Sequence, residues 1–213
     1  MKKILFAAAA AAALLASGSA MAEGEFSYNV AVTSDYVWRG VSQTDENPAI
    51  SGGIDYSNGI FYAGTWASNV DFGSDADYEL DLYAGVKPTV GDFAFDFGVL
   101  YYAYPQEDDL NMTELKAAVS YPLGKGSIGA AAYVNTDEDL EDYFEVNGAY
   151  PLTDKISVSG AYGDFGGYNT WNVGGSYALT DILSVDLRYH DTDTEVFGQL
   201  GDERVALTLK AAF

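Results

Sequence analysis

One histidine, no cysteine and 32 carboxylates are the reactive means of this 213-residue chain. A thiolate nucleophile is excluded, as is a metal centre built from cysteines or several histidines. His190 stands beside Asp191 and Asp193, which is where a general base would find a carboxylate partner. A hydrolase would also need a positioned serine or an activated water, and no nucleophile motif surrounds His190. A polar side chain at a strand end is the plainer reading, and no enzyme activity is expected. The run Asp137-Glu138-Asp139-Leu140-Glu141-Asp142 offers carboxylate oxygens to Ca²⁺ or Mg²⁺. It lacks the ligand spacing and central glycine of an EF-hand loop. Loose attraction of divalent ions, bridging the loop to anionic lipopolysaccharide, is expected instead, with no defined metal site and no cofactor. The net charge of −22 excludes a nucleic-acid binder, which needs a basic face.

What remains is the chemistry of charges set in rows. Glu79 and Asp81, Glu114 and Lys116, and Asp186 and Arg188 are each two residues apart. That spacing puts both members on one face of a β-strand. The same parity groups Asp55, Glu79, Asp81, Asp96, Glu114, Glu145 and Asp186 with Lys87, Lys116, Arg188, Arg204 and Lys210. A row of this kind around a channel, seven acids to five bases, biases ion passage toward cations. Cross-strand pairing of opposite charges would instead narrow or close it. Both readings stay open. A separate cluster, Trp38, Arg39 and Gln43, lies in a loop. Arg39 either folds into the mouth and sets selectivity, or pairs with a nearby carboxylate and holds the loop; the second is favoured.

These rows require strands, and period-two alternation runs through the chain. Val205, Leu207, Leu209, Ala211 and Phe213 fall on one face of the last segment, with Arg204, Ala206, Thr208 and Lys210 on the other. Phe93, Phe95, Phe97 and Val99 alternate with Ala94, Asp96, Gly98 and Leu100. The pattern predicts about twelve strands: 25–36, 48–56, 60–70, 77–87, 92–104, 111–121, 127–135, 143–151, 155–164, 169–179, 182–190 and 203–213. Short turns alternate with longer loops that carry most of the acidic residues. Asn58-Gly59 is a hairpin signal. Tyr121-Pro122-Leu123, Tyr150-Pro151-Leu152 and Tyr177-Ala178-Leu179 look like variants of one turn. This layout predicts an all-β, transmembrane, antiparallel up-and-down barrel over residues 23–213, with both termini on the short-turn side.

Residues 1–22 read as a signal peptide: basic Lys2 and Lys3, an apolar run from Ile4 to Ala16, and the small-x-small site Ala20-Met21-Ala22. The run is too short to span about 30 Å of hydrocarbon. Export, with cleavage after Ala22, places the barrel in the outer membrane of a Gram-negative bacterium. The polar face of the strands is mostly Gly, Ala, Ser, Thr and Asn, which suits a lumen better than a soluble surface. Tyr36, Trp38, Tyr101, Tyr102, Tyr104, Tyr121, Tyr150, Tyr162, Trp171, Tyr177 and Tyr189 sit near strand ends, as aromatic girdles do. Phe213 closes the chain on an alternating strand and looks like the signal read by the outer-membrane assembly machinery.

The stretch Ser34-Asp35-Tyr36-Val37-Trp38-Arg39-Gly40-Val41-Ser42-Gln43-Thr44 resembles the opening signature of the TorF-type porin family of proteobacteria. The resemblance continues through Asn47-Pro48-Ala49-Ile50, Gly53-Ile54-Asp55-Tyr56 and Tyr62 to Gly85, and loosens thereafter. It implies an outer-membrane barrel and a pore, without a substrate. The expected function is passive diffusion of small hydrophilic solutes or ions. The alternative is a non-conducting barrel whose acidic loops serve adhesion, envelope integrity or ligand binding. Lipid, lipopolysaccharide and the assembly machinery are the expected partners, and the oligomeric state is left open.

Overall fold

The structure is a computed structural model that describes residues 24–213. The expected signal peptide, residues 1–22, lies outside the described residues. Twelve antiparallel strands form one closed sheet: β1 Glu25–Thr33, β2 Ala49–Asn58, β3 Phe61–Asn69, β4 Tyr78–Val86, β5 Phe93–Ala103 and β6 Met112–Leu123, then β7 Gly126–Asn135, β8 Tyr143–Pro151, β9 Ile156–Asp164, β10 Asn169–Ala178, β11 Leu183–Thr192 and β12 Arg204–Ala212. Each strand pairs with its sequence neighbours, and β1 pairs with β12 to close the ring. At this seam the Tyr28 and Phe213 backbones exchange hydrogen bonds of 3.0 and 2.8 Å. Closure leaves no sheet edge, which a barrel in hydrocarbon requires. Among the described residues no helix is long and apolar enough to cross a membrane.

Alternation sorts the side chains. Phe26, Val30, Ile50, Leu82, Phe97, Leu115, Val146, Trp171, Leu187 and Leu207 point outward and are exposed. An apolar belt this continuous is untenable in water and fits lipid. The outward set also carries Tyr101, Tyr121, Tyr150, Tyr162, Trp171 and Tyr177 near strand ends. Four expected girdle residues are placed elsewhere: Tyr36, Trp38, Tyr102 and Tyr104 pack inside the mouth. Parity or loop direction turns these four inward, whereas position along the strand says only how near the rim they lie. Small inward residues make room for large ones. Tyr62 lies across Gly85 and Gly98, where a Cβ would meet its ring. Its hydroxyl donates to Asp96 at 2.7 Å.

The short connections follow from local chemistry. Gly59 adopts φ +60 after Asn58 and turns β2 into β3. Two of the three look-alike turns share one geometry. Thr153 Oγ1 accepts from the Ile156 amide at 2.9 Å, and Thr180 Oγ1 from the Leu183 amide at 3.0 Å. The third differs: Gly124, at φ +64, makes a tighter turn with Leu123 paired to Gly126. Residues 87–92 hold a two-residue strand, Thr89–Val90, paired with Phe93 and Ala94. Short 3₁₀ turns at Asp108–Leu110 and Gly198–Gly201 interrupt two long loops.

The largest departure from expectation is in the first segment. β1 ends at Thr33 rather than residue 36, because the chain leaves the sheet and turns into the barrel. Residues 37–42 form a small hairpin, Val37–Trp38 against Val41–Ser42. Its turn, Arg39 at φ +48 followed by Gly40 at φ +86, is of the primed kind that matches strand twist.

Candidate functional site

The hairpin is a plug in the outer mouth, and each part of it is held by named contacts. At its base Asp35 is buried. Its carboxylate accepts from Ser42 Oγ at 2.6 Å, Thr44 Oγ1 at 3.2 Å and Arg204 at 3.0 Å. Arg204 also reaches Glu46 at 3.5 Å, so this expected pore-lining cation is spent on anchoring the loop. Gln43 stays in the hairpin: its side chain donates to the Val41 carbonyl at 3.0 Å, and its carbonyl accepts from Asp71. Tyr36 donates to Glu79 at 2.9 Å, and Tyr104 donates to the other Glu79 oxygen. Burial first, then the charge of Glu79, hold the Tyr36 phenol well above its ordinary pKa, so it stays a neutral donor.

At the tip, Arg39 makes a two-pronged pair with Glu114 of β6, both contacts at 2.7 Å. The Glu114 side chain is 0% exposed and that of Arg39 is 5%. Tyr102 donates to the same carboxylate at 3.0 Å. The guanidinium lies over the rings of Trp38 at 4.1 Å, Tyr143 at 4.3 Å, Phe165 at 4.8 Å and Tyr133 at 5.2 Å. Tyr168 donates to the Arg39 carbonyl at 3.1 Å. Burial pushes the Tyr168 phenol up to about 12, although Arg39 pulls the other way. Gly40 passes between Thr170 and Thr192, where any Cβ would collide with both. Arg39 folds into the mouth and is paired there with a carboxylate.

Beneath the plug lies a cavity of about 310 Å³. Its walls include Trp38, Arg39, Tyr133, Tyr143, Glu145, Asn147, Asn172, Arg188 and His190. The inward charges divide into two kinds. Lys116 pairs with Asp96 at 2.7 Å, and Arg188 pairs with Asp186 at 3.2 Å while donating to Asn172 and Ser159. Asp55, Glu79, Asp81 and Glu145 form no ion pair among the described residues. Asp55 accepts from Tyr83 at 2.6 Å, and Glu145 from Tyr143 at 3.0 Å and Asn147 at 2.9 Å. Asp81 Oδ1 is buried with no hydrogen-bond partner. Lys87 lies just past β4, with its ammonium 4.3 Å from the Tyr62 ring. Lys210 keeps the inward parity, near the short-turn end of β12.

The His190 neighbourhood does not assemble a catalytic pair. Asp191 projects from the opposite face of β11. Asp193 is held by the Asn169 amide at 2.6 Å and its side chain at 2.7 Å. Those bonds keep the Asp193 carboxyl below the usual carboxylate range. Two of the five acids of the 137–142 loop cap local backbone: Asp137 accepts from the Asp139 amide and Asp142 from the Asn135 amide, at 3.0 and 2.9 Å. Among the described residues, no three His, Asp or Glu side chains converge as a metal cluster.

The model of Gcw_chp, a bacterial protein family of unknown function, matches residues 17–213. The chain belongs to that family. No curated protein sequence matches the chain. Among solved structures it is similar to the KdgM porin, with a TM-score of 0.65 at 9% identity, covering 88% of this chain and 98% of that one. It is also similar to the NanC porin, at 0.59 and 7% identity, covering 89% and 99%. The Escherichia coli outer membrane phospholipase A shares the architecture too, at 0.53 and 10% identity, covering 88% and 91%. At these identities the likeness is one of fold. This Gcw_chp protein has the fold of a porin-like β-barrel.

Proposed function

We propose that the protein is an outer-membrane diffusion pore for small hydrophilic solutes, favouring cations and narrowed at its outer mouth by the first loop. The observation that carries this reading is the polar cavity below the plug. Glu145 in its wall has no cationic partner among the described residues, and neither do Asp55, Glu79 and Asp81 elsewhere on the inward face; set against Lys87 and Lys210 outside ion pairs, they leave an excess of acids that gives the lumen its sign. That sign suits cations better than the oligogalacturonate seen in complex with the KdgM porin. The resemblance of residues 34–44 to TorF-type porins supports the same reading, because that stretch builds the plug. The chain is exported by a signal peptide cleaved after Ala22. It is assembled through Phe213, whose ring is exposed at the seam. Its acidic outer loops meet lipopolysaccharide through divalent ions.

The second reading is a barrel closed by its plug, used at the surface. The buried Arg39–Glu114 pair favours it. Single-channel recording in a planar bilayer under a salt gradient separates the two. Steady openings with cation preference, reduced by Asp81→Asn, support the pore. A folded, heat-modifiable barrel that stays silent even with residues 36–43 removed refutes it.

A further inference from the structure

The plug hides a site that belongs to the barrel wall. Of the groups around the Arg39 guanidinium, only Trp38 comes from the loop itself. Glu114 stands on β6, Tyr133 on β7 and Tyr143 on β8, while Phe165 follows β9. Tyr102, on β5, orients the carboxylate. A fully buried carboxylate gripping two guanidinium nitrogens under aromatic faces is matched to a planar fork. A compact ammonium has neither the fork nor the stacking plane. Lys116, the neighbouring lumen cation, pairs with Asp96 through a single contact and lies 5.8 Å from the Tyr133 ring.

We propose that this wall site recognises small solutes bearing a guanidinium group, and that Arg39 is its built-in occupant, displaced when such a solute arrives. Two features make the occupant replaceable. Arg39 holds a left-handed backbone that L-residues avoid, and its hairpin strands are two residues each. A third feature gives a released solute somewhere to go. Tyr143, which faces the guanidinium, also donates to Glu145, a carboxylate with no cationic partner that lines the cavity below. The transport consequence rests on the pore reading above; the binding does not.

The test uses the intact barrel with Arg39→Ala, which empties the site and keeps its wall. Argininamide is titrated by calorimetry, with lysinamide as control and Arg39→Ala/Glu114→Gln as the blocked site. Saturable binding of argininamide, about tenfold tighter than lysinamide and lost in the double variant, is expected. In the wild type, argininamide is expected to raise the open fraction and expose residues 34–44 to protease. Equal binding of the two amides, or binding indifferent to Glu114→Gln, overturns the site. Wild-type plug contacts unmoved by saturating argininamide overturn the displacement. Binding intact in a barrel that never conducts sinks the pore and leaves the site standing. If Arg39→Ala does not fold, Arg39→Lys serves, because it keeps a charge but loses the fork.

Discussion

In the proposed orientation, the outer and periplasmic halves of the lumen are built on opposite principles. The outer half is packed like a protein interior. Tyr102 and Tyr104 are buried there with Val70 and Ala76, and Tyr36, Phe72, Leu100 and Met112 lie against them. Two of its charges are locked in the Arg39–Glu114 pair, and two more in the Arg204–Asp35 pair. The periplasmic half is lined by Ser, Ala and Gly together with Tyr62 and Tyr83, and its Asp55, Lys87 and Lys210 lie outside any ion pair among the described residues. One tube thus holds a packed plug at one end and a looser lining of smaller residues at the other. On the pore reading, resistance to flow belongs to the packed end.

Four changes break or sharpen that contrast. Glu114→Ala has the largest effect, since it strands a buried guanidinium, a loss of about 3–5 kcal/mol where the group cannot escape. Here the loop can leave. The expected outcome is an ejected plug, read as protease cleavage within residues 36–43 and a larger unitary conductance. An unchanged digestion pattern would mean that the mouth does not depend on this pair. Gly40→Val comes next. A β-branched residue at φ +86 costs about 1–2 kcal/mol and collides with Thr170 and Thr192. It gives the same opened mouth with Glu114 intact, so the two variants together separate charge from shape. Arg204→Gln loosens the plug at its base without touching its tip. Flickering currents of wild-type amplitude are the expected signature. Asp55→Asn, in the loose half, is the mildest change: a small shift of reversal potential toward anions, with no effect on loop digestion. A change in digestion there would show that the halves are coupled.

The strands were legible because lipid outside and water inside impose a strict alternation, and nearly every strand falls within a few residues of its expected span. Parity also turned Glu114 inward, and loop composition singled out Arg39. What it could not supply was their meeting, because the two residues are 75 apart in sequence and nothing in a period-two pattern says where a loop folds. Asp35, Ser42 and Thr44 were visible only as part of a family-like signature. Their role is a local knot of hydrogen bonds around one buried carboxylate. Tyr143, Phe165 and Tyr168 carry no signal in the sequence, because their work is to surround a residue that arrives from another part of the chain. Position near a rim does not decide between a girdle and the mouth for Tyr36 and Trp38, because a tyrosine or tryptophan there suits an interface and a packed mouth equally well; Trp38 also belongs to the loop cluster expected at the mouth.

The plug has a consequence for the order of assembly. It belongs to the first loop of the chain, yet it is fastened to Arg204, 169 residues from Asp35, to Glu114 in the middle, and to Tyr168 further along. No fragment lacking β12 can hold it at its base. It is therefore among the last parts to settle, after the seam between β1 and β12 has formed. A seated first loop is then a local record that the whole ring has closed.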